Sequence, residues 1–229
     1  MDTTTDPLTH VRALMARATG DEKHDESTTS TLDALWVLYD RVLRIDPAHP
    51  DAEDRDRFIL SKGHGPASLY AILAAKGFFP PAWLDTFLDH DGRLGSHPDR
   101  MQVPGIEAST GSLGHGFPMA VGVAQALRAK GRPDIRVVVL TGDAELNEGS
   151  NWEAVMLAPN LRLGNLTWLI VDNHSSSWTM GPWDAWLPPF GWDVRVVDGH
   201  DHDALAAALG DRHAEQPVAV VADIPEGEW

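Results

Sequence analysis

Apolar residues along this chain follow two alternating rhythms. Short unbroken or nearly unbroken runs occur within Arg55–Ser61, at Ile135 and Val137–Leu140, across Leu166–Val171, within Gly191–Asp198 and across Val218–Ile224. Each has the length of a strand, and the runs at Val137–Leu140 and Leu166–Val171 read as strands buried on both faces. Between them the apolar positions return at helical spacing: Leu8–Ala18; Leu32, Leu35, Trp36, Tyr39 and Val42; Ala67–Ala75; Trp83–Leu88; and Phe117 to Leu127. A further helical segment lies between the second and third runs, and Asp203–Leu209 forms the last helix. One hydroxyl of Ser27–Thr31 is expected to cap the second helix, while Lys76-Gly77 and Lys130-Gly131 are stops. Strands alternating with helices predict an α/β fold: a doubly wound, mainly parallel sheet with helices on both faces. No repeat or interdomain linker divides residues 1–229, so one domain is expected, its first eight residues loosely attached.

The segment 135–173 is the centre of the pattern, since two buried runs bracket a helix as in a βαβ unit. Asp143 and Asn173 are the polar residues released where those runs end, and open α/β sheets bind ligands at that carboxyl edge. A carboxylate and an amide oxygen suit Mg2+ or Ca2+ beside a phosphate. Spacing alone favours a plainer role, with Asp143 capping a helix and Asn173 in a turn. His64 stands between Gly63 and Gly65 just before a helix, where a backbone can approach an anion closely. A surface turn with an incidental histidine fits the same residues. The Gly-rich stretch Gly111-Ser112-Leu113-Gly114 opens onto another helix but has neither the Rossmann glycine order nor the P-loop lysine. Ser175–Pro189, with three Trp and three Pro, is expected to be loop.

Composition narrows the function classes. There are 34 acidic and 18 basic residues, a formal charge of -16, which argues against nucleic-acid or anionic-membrane binding. An anionic ligand would therefore need metal, histidine and backbone N–H groups. The absence of cysteine excludes thiolate zinc sites, disulfides and thiol nucleophiles. No apolar run is long enough for a membrane span and the start lacks a signal-peptide pattern, so a soluble, cytoplasmic protein is expected. Nine Trp either fill the core or line an interface that a single chain leaves uncovered.

The blocks DRFILSKGHGPASLYAIL, GSHPDR, PGIEASTGSLGHG, GDAELNEGSNWEA, VDN and FGWDVRVVDGHD stand in the order and spacing of the transketolases. From Leu32 to Asp223 the chain resembles that family, and within it the N-terminal subunit of a split, two-component transketolase. The resemblance implies a domain that binds the diphosphate of thiamine diphosphate. It also implies a C-terminal partner subunit carrying the pyrimidine-binding domain, a heterotetramer with active sites between the two kinds of subunit, and transfer of a two-carbon ketol unit between small sugars or sugar phosphates.

Site roles follow from the resemblance alone. Asp143, Asn173 and the backbone carbonyl of Ser175 would hold Mg2+, with Ca2+ as a substitute. Gly142, Asp143, Ala144, Glu145 and Asn173 match the diphosphate-binding segment; Gly111, Ser112 and Leu113 match the loop against the cofactor rings. His64 matches the histidine near the cofactor and reacting carbon, His97 the one that binds sugar hydroxyls, and His24 aligns with a substrate histidine. Glu148 matches the glutamate that communicates with the partner's cofactor-activating glutamate. The departures are equally specific. Ala144 replaces a usual glycine, His115 a usual glutamine, and Asp25-Glu26 follow His24 where the family has Pro-Gly. The loop after Asn173 is long and Trp-rich, and beyond Ile224-Pro225 the family continues through a segment with another histidine. These departures leave three expectations: the active half of a transketolase, a specialised biosynthetic ketol or acyl transfer or condensation with a non-standard acceptor, or a non-catalytic subunit that kept the fold. Intact Asp143, Asn173 and Glu148 speak against the last.

Overall fold

The computed structural model describes residues 7–19 and 28–225. The elements in order are α1 (Pro7–Met15), α2 (Leu32–Val37), β1 (Arg57–Leu60), α3 (Ala67–Lys76), α4 (Gly116–Ala129), β2 (Val137–Gly142), α5 (Gly149–Asn160), β3 (Leu166–Asp172), α6 (Trp183–Trp186), β4 (Asp193–Asp198), α7 (His202–Gly210) and β5 (Val218–Asp223). The helical spacing at Tyr39 and Val42 belongs to a π-helical turn, Leu38–Val42, that continues α2. Pro81–Thr86 is a 3-10 helix.

All five strands are parallel, in the order β1-β2-β3-β5-β4. The central strands β2 and β3 are buried along their whole length, which explains why their sequences are continuous rather than alternating apolar runs. Two apolar layers cover the sheet. On one face Leu60, Val138, Leu140, Leu169 and Val220 meet Leu35 of α2, Leu69 and Leu73 of α3 and Leu205 of α7. On the other Ile59, Val139, Trp168, Ile170 and Val221 meet Phe117 and Val121 of α4 and Val155 of α5. Each fully buried Leu, Val or Phe side chain contributes on the order of 1.5–3 kcal/mol. Trp168 anchors the second layer, with its ring centroid 4.4 Å from Phe117 and 5.4 Å from Trp192. Its indole N–H donates to Thr141 Oγ1 at 2.8 Å, so a large ring is buried with its polar atom satisfied.

Three local expectations change. The loose start does not reach Pro7 and Leu8: α1 begins at Pro7, and Leu8, Val11 and Leu14 are buried where α1 packs on α3. Thr31 occupies the N-cap position of α2 without a side-chain cap. Its hydroxyl pairs instead with Thr28 O and Ser68 Oγ, because the buried α2–α3 contact offers partners that a solvated cap would not. The Trp-rich stretch is not all loop: Trp183–Trp186 is helical and Pro188–Phe190 is a 3-10 turn. Trp183 and Trp192 join the core while Trp178 is 69% and Trp186 39% exposed, so the described tryptophans divide between core and surface.

Candidate active site at the carboxyl edge of the sheet

The site forms where β1, β2 and β3 end together. Pairing of Gly142 with Val171 sets the two central strands in register, and Asp143 N donates to Val171 O at 3.1 Å. Asp143 and Asn173 therefore emerge on adjacent strands at one edge. Asp143 occupies the N-cap position of a 3-10 turn (Ala144–Asn147) but makes no side-chain cap. Its carboxylate accepts from Ser175 Oγ at 3.1 Å and from Ser176 N at 2.9 Å. The Ser175 hydroxyl thus meets Asp143 directly. The amide nitrogen of Asn173 lies 3.4 Å from Ser30 Oγ, leaving the amide oxygen as its remaining acceptor. Among the described residues no group of three or more His, Cys, Asp or Glu converges as a metal site. This edge could supply a cation with one carboxylate, one amide oxygen and a serine, a donor set that needs ligand phosphate or water to complete a hard-ion shell.

The histidines sit beside it. His64 follows β1 and is half-buried; His97 comes from the loop before α4 and is exposed. Their rings meet edge-on with centroids 4.8 Å apart. The backbone beneath His97 is fixed by Tyr70 Oη, within hydrogen-bond distance of Gly95 O (3.1 Å) and His97 O (2.9 Å). Gly111 brings the Gly-rich loop against this pair: its φ is +151°, and a Cβ there would lie 2.7 Å from the His97 ring. Gly63 is held as tightly, since a Cβ on it would lie 2.7 Å from Gly111 N. Thr110 Oγ1 donates to Leu60 O at 2.6 Å and pins the loop to the end of β1. Ser112 is exposed and Leu113 partly so, both on the open side of this loop.

Beneath the loops lies Glu145, 1% exposed. Its Oε1 accepts from Ser61 Oγ at 2.6 Å and from Gly114 N at 2.9 Å, while Asn151 Nδ2 donates to its backbone carbonyl at 2.7 Å. One residue thus ties the turn after β1, the Gly-rich loop and the start of α5 together. Its Oε2 is buried without a hydrogen-bond partner among the described residues. Burial raises the Glu145 pKa, against the opposing pull of those hydrogen bonds and of Lys62. Lys62 is buried as well; burial lowers its pKa to about 8, although Asp143 and Glu145 favour its charged form. Glu148 is exposed at the N-cap of α5, its side chain beside Gly114.

Most of the expected site residues therefore gather at one edge: His64, His97, Gly111, Ser112, Leu113, Gly142, Asp143, Ala144, Glu145, Glu148, Asn173 and Ser175. His24 lies outside the described residues. Lys62 and Ser30 join the site without having been expected there. Lys62 carried a visible signal, as a lysine directly after a buried strand inside the Ser61–Gly65 turn. Ser30 carried none beyond being one hydroxyl among several.

Residues 7–222 match the family model described as "Transketolase, thiamine diphosphate binding domain". The chain belongs to the transketolase family. It is 50% identical over 214 residues to a Rhodococcoides fascians protein named Ferredoxin fas2, covering 93% of this chain and 70% of that one. That name does not transfer on chemistry, since these 229 residues include no cysteine to ligate an iron–sulfur cluster. It is 36% identical over 214 residues to an apulose-4-phosphate transketolase subunit from Actinobacillus succinogenes, covering 89% of this chain and 76% of that one. Transketolase from Leishmania mexicana superposes with a TM-score of 0.83 at 29% identity, covering 94% of this chain but 36% of that structure. This transketolase chain thus corresponds to the family's N-terminal, cofactor-binding portion. No described helix is long and apolar enough to cross a membrane.

Proposed function

We propose that this chain is the diphosphate-binding subunit of a two-component transketolase. It would move a two-carbon ketol unit from a ketose, free or phosphorylated, to an aldehyde. The observation that carries the reading is the emergence of Asp143 and Asn173 on adjacent strand ends, at the edge where His64, His97 and Gly111 meet. In this reading Asp143, the Asn173 amide oxygen and Ser175 hold Mg2+, with Ca2+ as a substitute, against the cofactor diphosphate. Bound thiamine diphosphate supplies the carbanion stabilisation that no side chain of this protein can. The protein's own tasks are anchoring and proton handling. Gly63 and Gly111 keep the backbone close and bare where a flat, charged ligand must lie. His64 and His97 lie against each other and exchange protons with sugar oxygens, a task that the resemblance gives His24 as well.

A partner supplying the pyrimidine-binding domain is supported by the Actinobacillus succinogenes relative, itself named as one subunit of its enzyme, and by the exposure of Glu148. Facing a carboxylate of the partner, Glu148 would share a proton with it and couple the two sites of a heterotetramer. The test is reconstitution. This chain, a pyrimidine-domain subunit, thiamine diphosphate and Mg2+ should together transfer a ketol unit, with little activity from the chain alone. Full activity of the isolated chain would refute the two-component reading.

The non-standard-acceptor reading rests on Asp25 and Glu26, two carboxylates beside His24 that should repel a substrate phosphate. Preference for an unphosphorylated acceptor in the reconstituted assay would favour it, and equal use of phosphorylated sugars would remove it.

A further inference from the structure

Two basic side chains are buried among the described residues, Arg136 and Lys62. Arg136 lies at the amino end of β2, where its guanidinium donates to the carbonyls of Leu209 and Gly210 at the close of α7. That is a structural clamp at the edge away from the site. Lys62 is at the opposite edge. It follows β1 closely, and its side chain runs across the last residue of β2: a Cβ on Gly142 would lie 2.8 Å from Lys62 Cδ and 3.8 Å from Cε. The ammonium ends 3.5 Å from Ser30 Oγ, the same hydroxyl that lies 3.4 Å from the Asn173 amide. Lys62 Nζ is thus routed over Gly142 to the spot where the ends of β2 and β3 come together.

Building on the cofactor reading above, we propose that Lys62 is a diphosphate-binding residue, its ammonium donating to phosphate oxygens held between Gly142 and Asn173. Charge decides in favour of this role. The edge contributes Asp143 and Glu145 as acids, in a chain of net charge -16, and a diphosphate adds further negative charge. A divalent cation alone leaves that assembly anionic in a place shielded from water, where repulsion is strong. An ammonium is a compact point charge suited to phosphate oxygens. The bare Gly142 gives its stem a route across the strand end that a side chain at 142 would close.

Calorimetric titration of the full chain with inorganic pyrophosphate, then with thiamine diphosphate, each with Mg2+, tests this. Wild type should bind both. Lys62→Met should weaken both by about 10- to 100-fold, as for loss of a hydrogen bond between charged groups, and Lys62→Arg should recover part of it. Unchanged affinity in a folded Lys62→Met protein would show that Lys62 only balances Asp143 and Glu145, and the proposal falls. Should Lys62→Met not fold, Lys62→Gln and Lys62→Arg carry the comparison with the same criterion. Wild type that binds neither ligand overturns the cofactor reading itself, a result distinct from failure at Lys62.

Discussion

The carboxyl edge of this sheet has two halves that look alike in sequence and behave differently. Beyond β5 and β4, and at the end of β3, acidic residues are committed to holding the fold. Asp172 accepts the indole N–H of buried Trp183 at 2.6 Å and the backbone N–H of His174 at 3.2 Å. Asp223 pairs with the His174 ring at 2.9 Å, and Asp198 accepts from His200 N at 2.8 Å. Asp33 closes this half by pairing with His200 and His202 at 3.0 and 2.7 Å. At the β1–β2 half, Asp143 is hydrogen-bonded to the short Ser175–Ser176 segment, with buried Lys62 and Glu145 close by and the His64–His97 pair on loops at the same edge. On the reading proposed above, Asp143 is the strand-end aspartate that meets a ligand, while Asp172, Asp198 and Asp223 hold neighbouring segments in place.

The largest break in this contrast should come from Asp143→Ala. On the proposed reading a direct ligand is lost, which should reduce affinity for Mg2+ and thiamine diphosphate by about 100-fold or more, beyond the 10- to 100-fold typical of changes to groups behind the ligands. Calorimetry of the full chain checks it, and an affinity within a few-fold of wild type would place the cation elsewhere. Asp172→Ala should do the reverse. It strands the Trp183 N–H in the core, costing about 1–3 kcal/mol and several degrees in thermal melting, while ligand affinity stays close to wild type. If affinity fell as far as for Asp143→Ala, the two halves of the edge would not be separable.

Glu145 sharpens the comparison through pH. Its folded pKa is raised by burial, so the folded state favours the protonated acid. The stability this group contributes is complete below the ordinary value of 4.5 and is lost as pH rises through the folded value. Melting curves from pH 4 upward should show wild type losing ground to Glu145→Gln, with the two nearest at the acid end. A constant offset would mean that burial does not perturb the carboxyl. Smallest is Asp33→Asn, which keeps one acceptor and loses one histidine pairing, for about 0.5–1.5 kcal/mol in denaturant unfolding. A loss several times larger would make the Asp33 clamp an organising element of the whole edge.

Much of this architecture is legible in the chain alone. Apolar runs with helical patterns between them identify all five strands and their parallel arrangement; β2 and β3, buried on both faces, leave a continuous apolar signature, while the edge strand β4 is interrupted by polar residues and partly exposed. The same logic picks out Asp143 and Asn173. It cannot separate them from Asp172, Asp198 or Asp223, which also stand where apolar runs end; only the family resemblance does so. The Gly-rich loop and the His64 turn are weak signals singly, and each becomes informative once Gly111 lies against the His97 ring.

The amino-acid sequence by itself determined the α/β class, the order of elements and the edge at which a ligand would bind, since periodicity and the release of polar residues at strand ends are local properties. Tertiary structure decided which partners the strand-end acids take, how the described tryptophans divide between core and surface, and that Lys62 crosses Gly142 toward Ser30. The bonds that settle these matters join residues far apart, Ser61 to Glu145 across 84 positions and Ser30 to Asn173 across 143. No periodicity encodes contacts of that separation. They exist because a parallel sheet brings the ends of distant strands to one edge, where burial forces polar atoms to find whatever partners the fold has placed there.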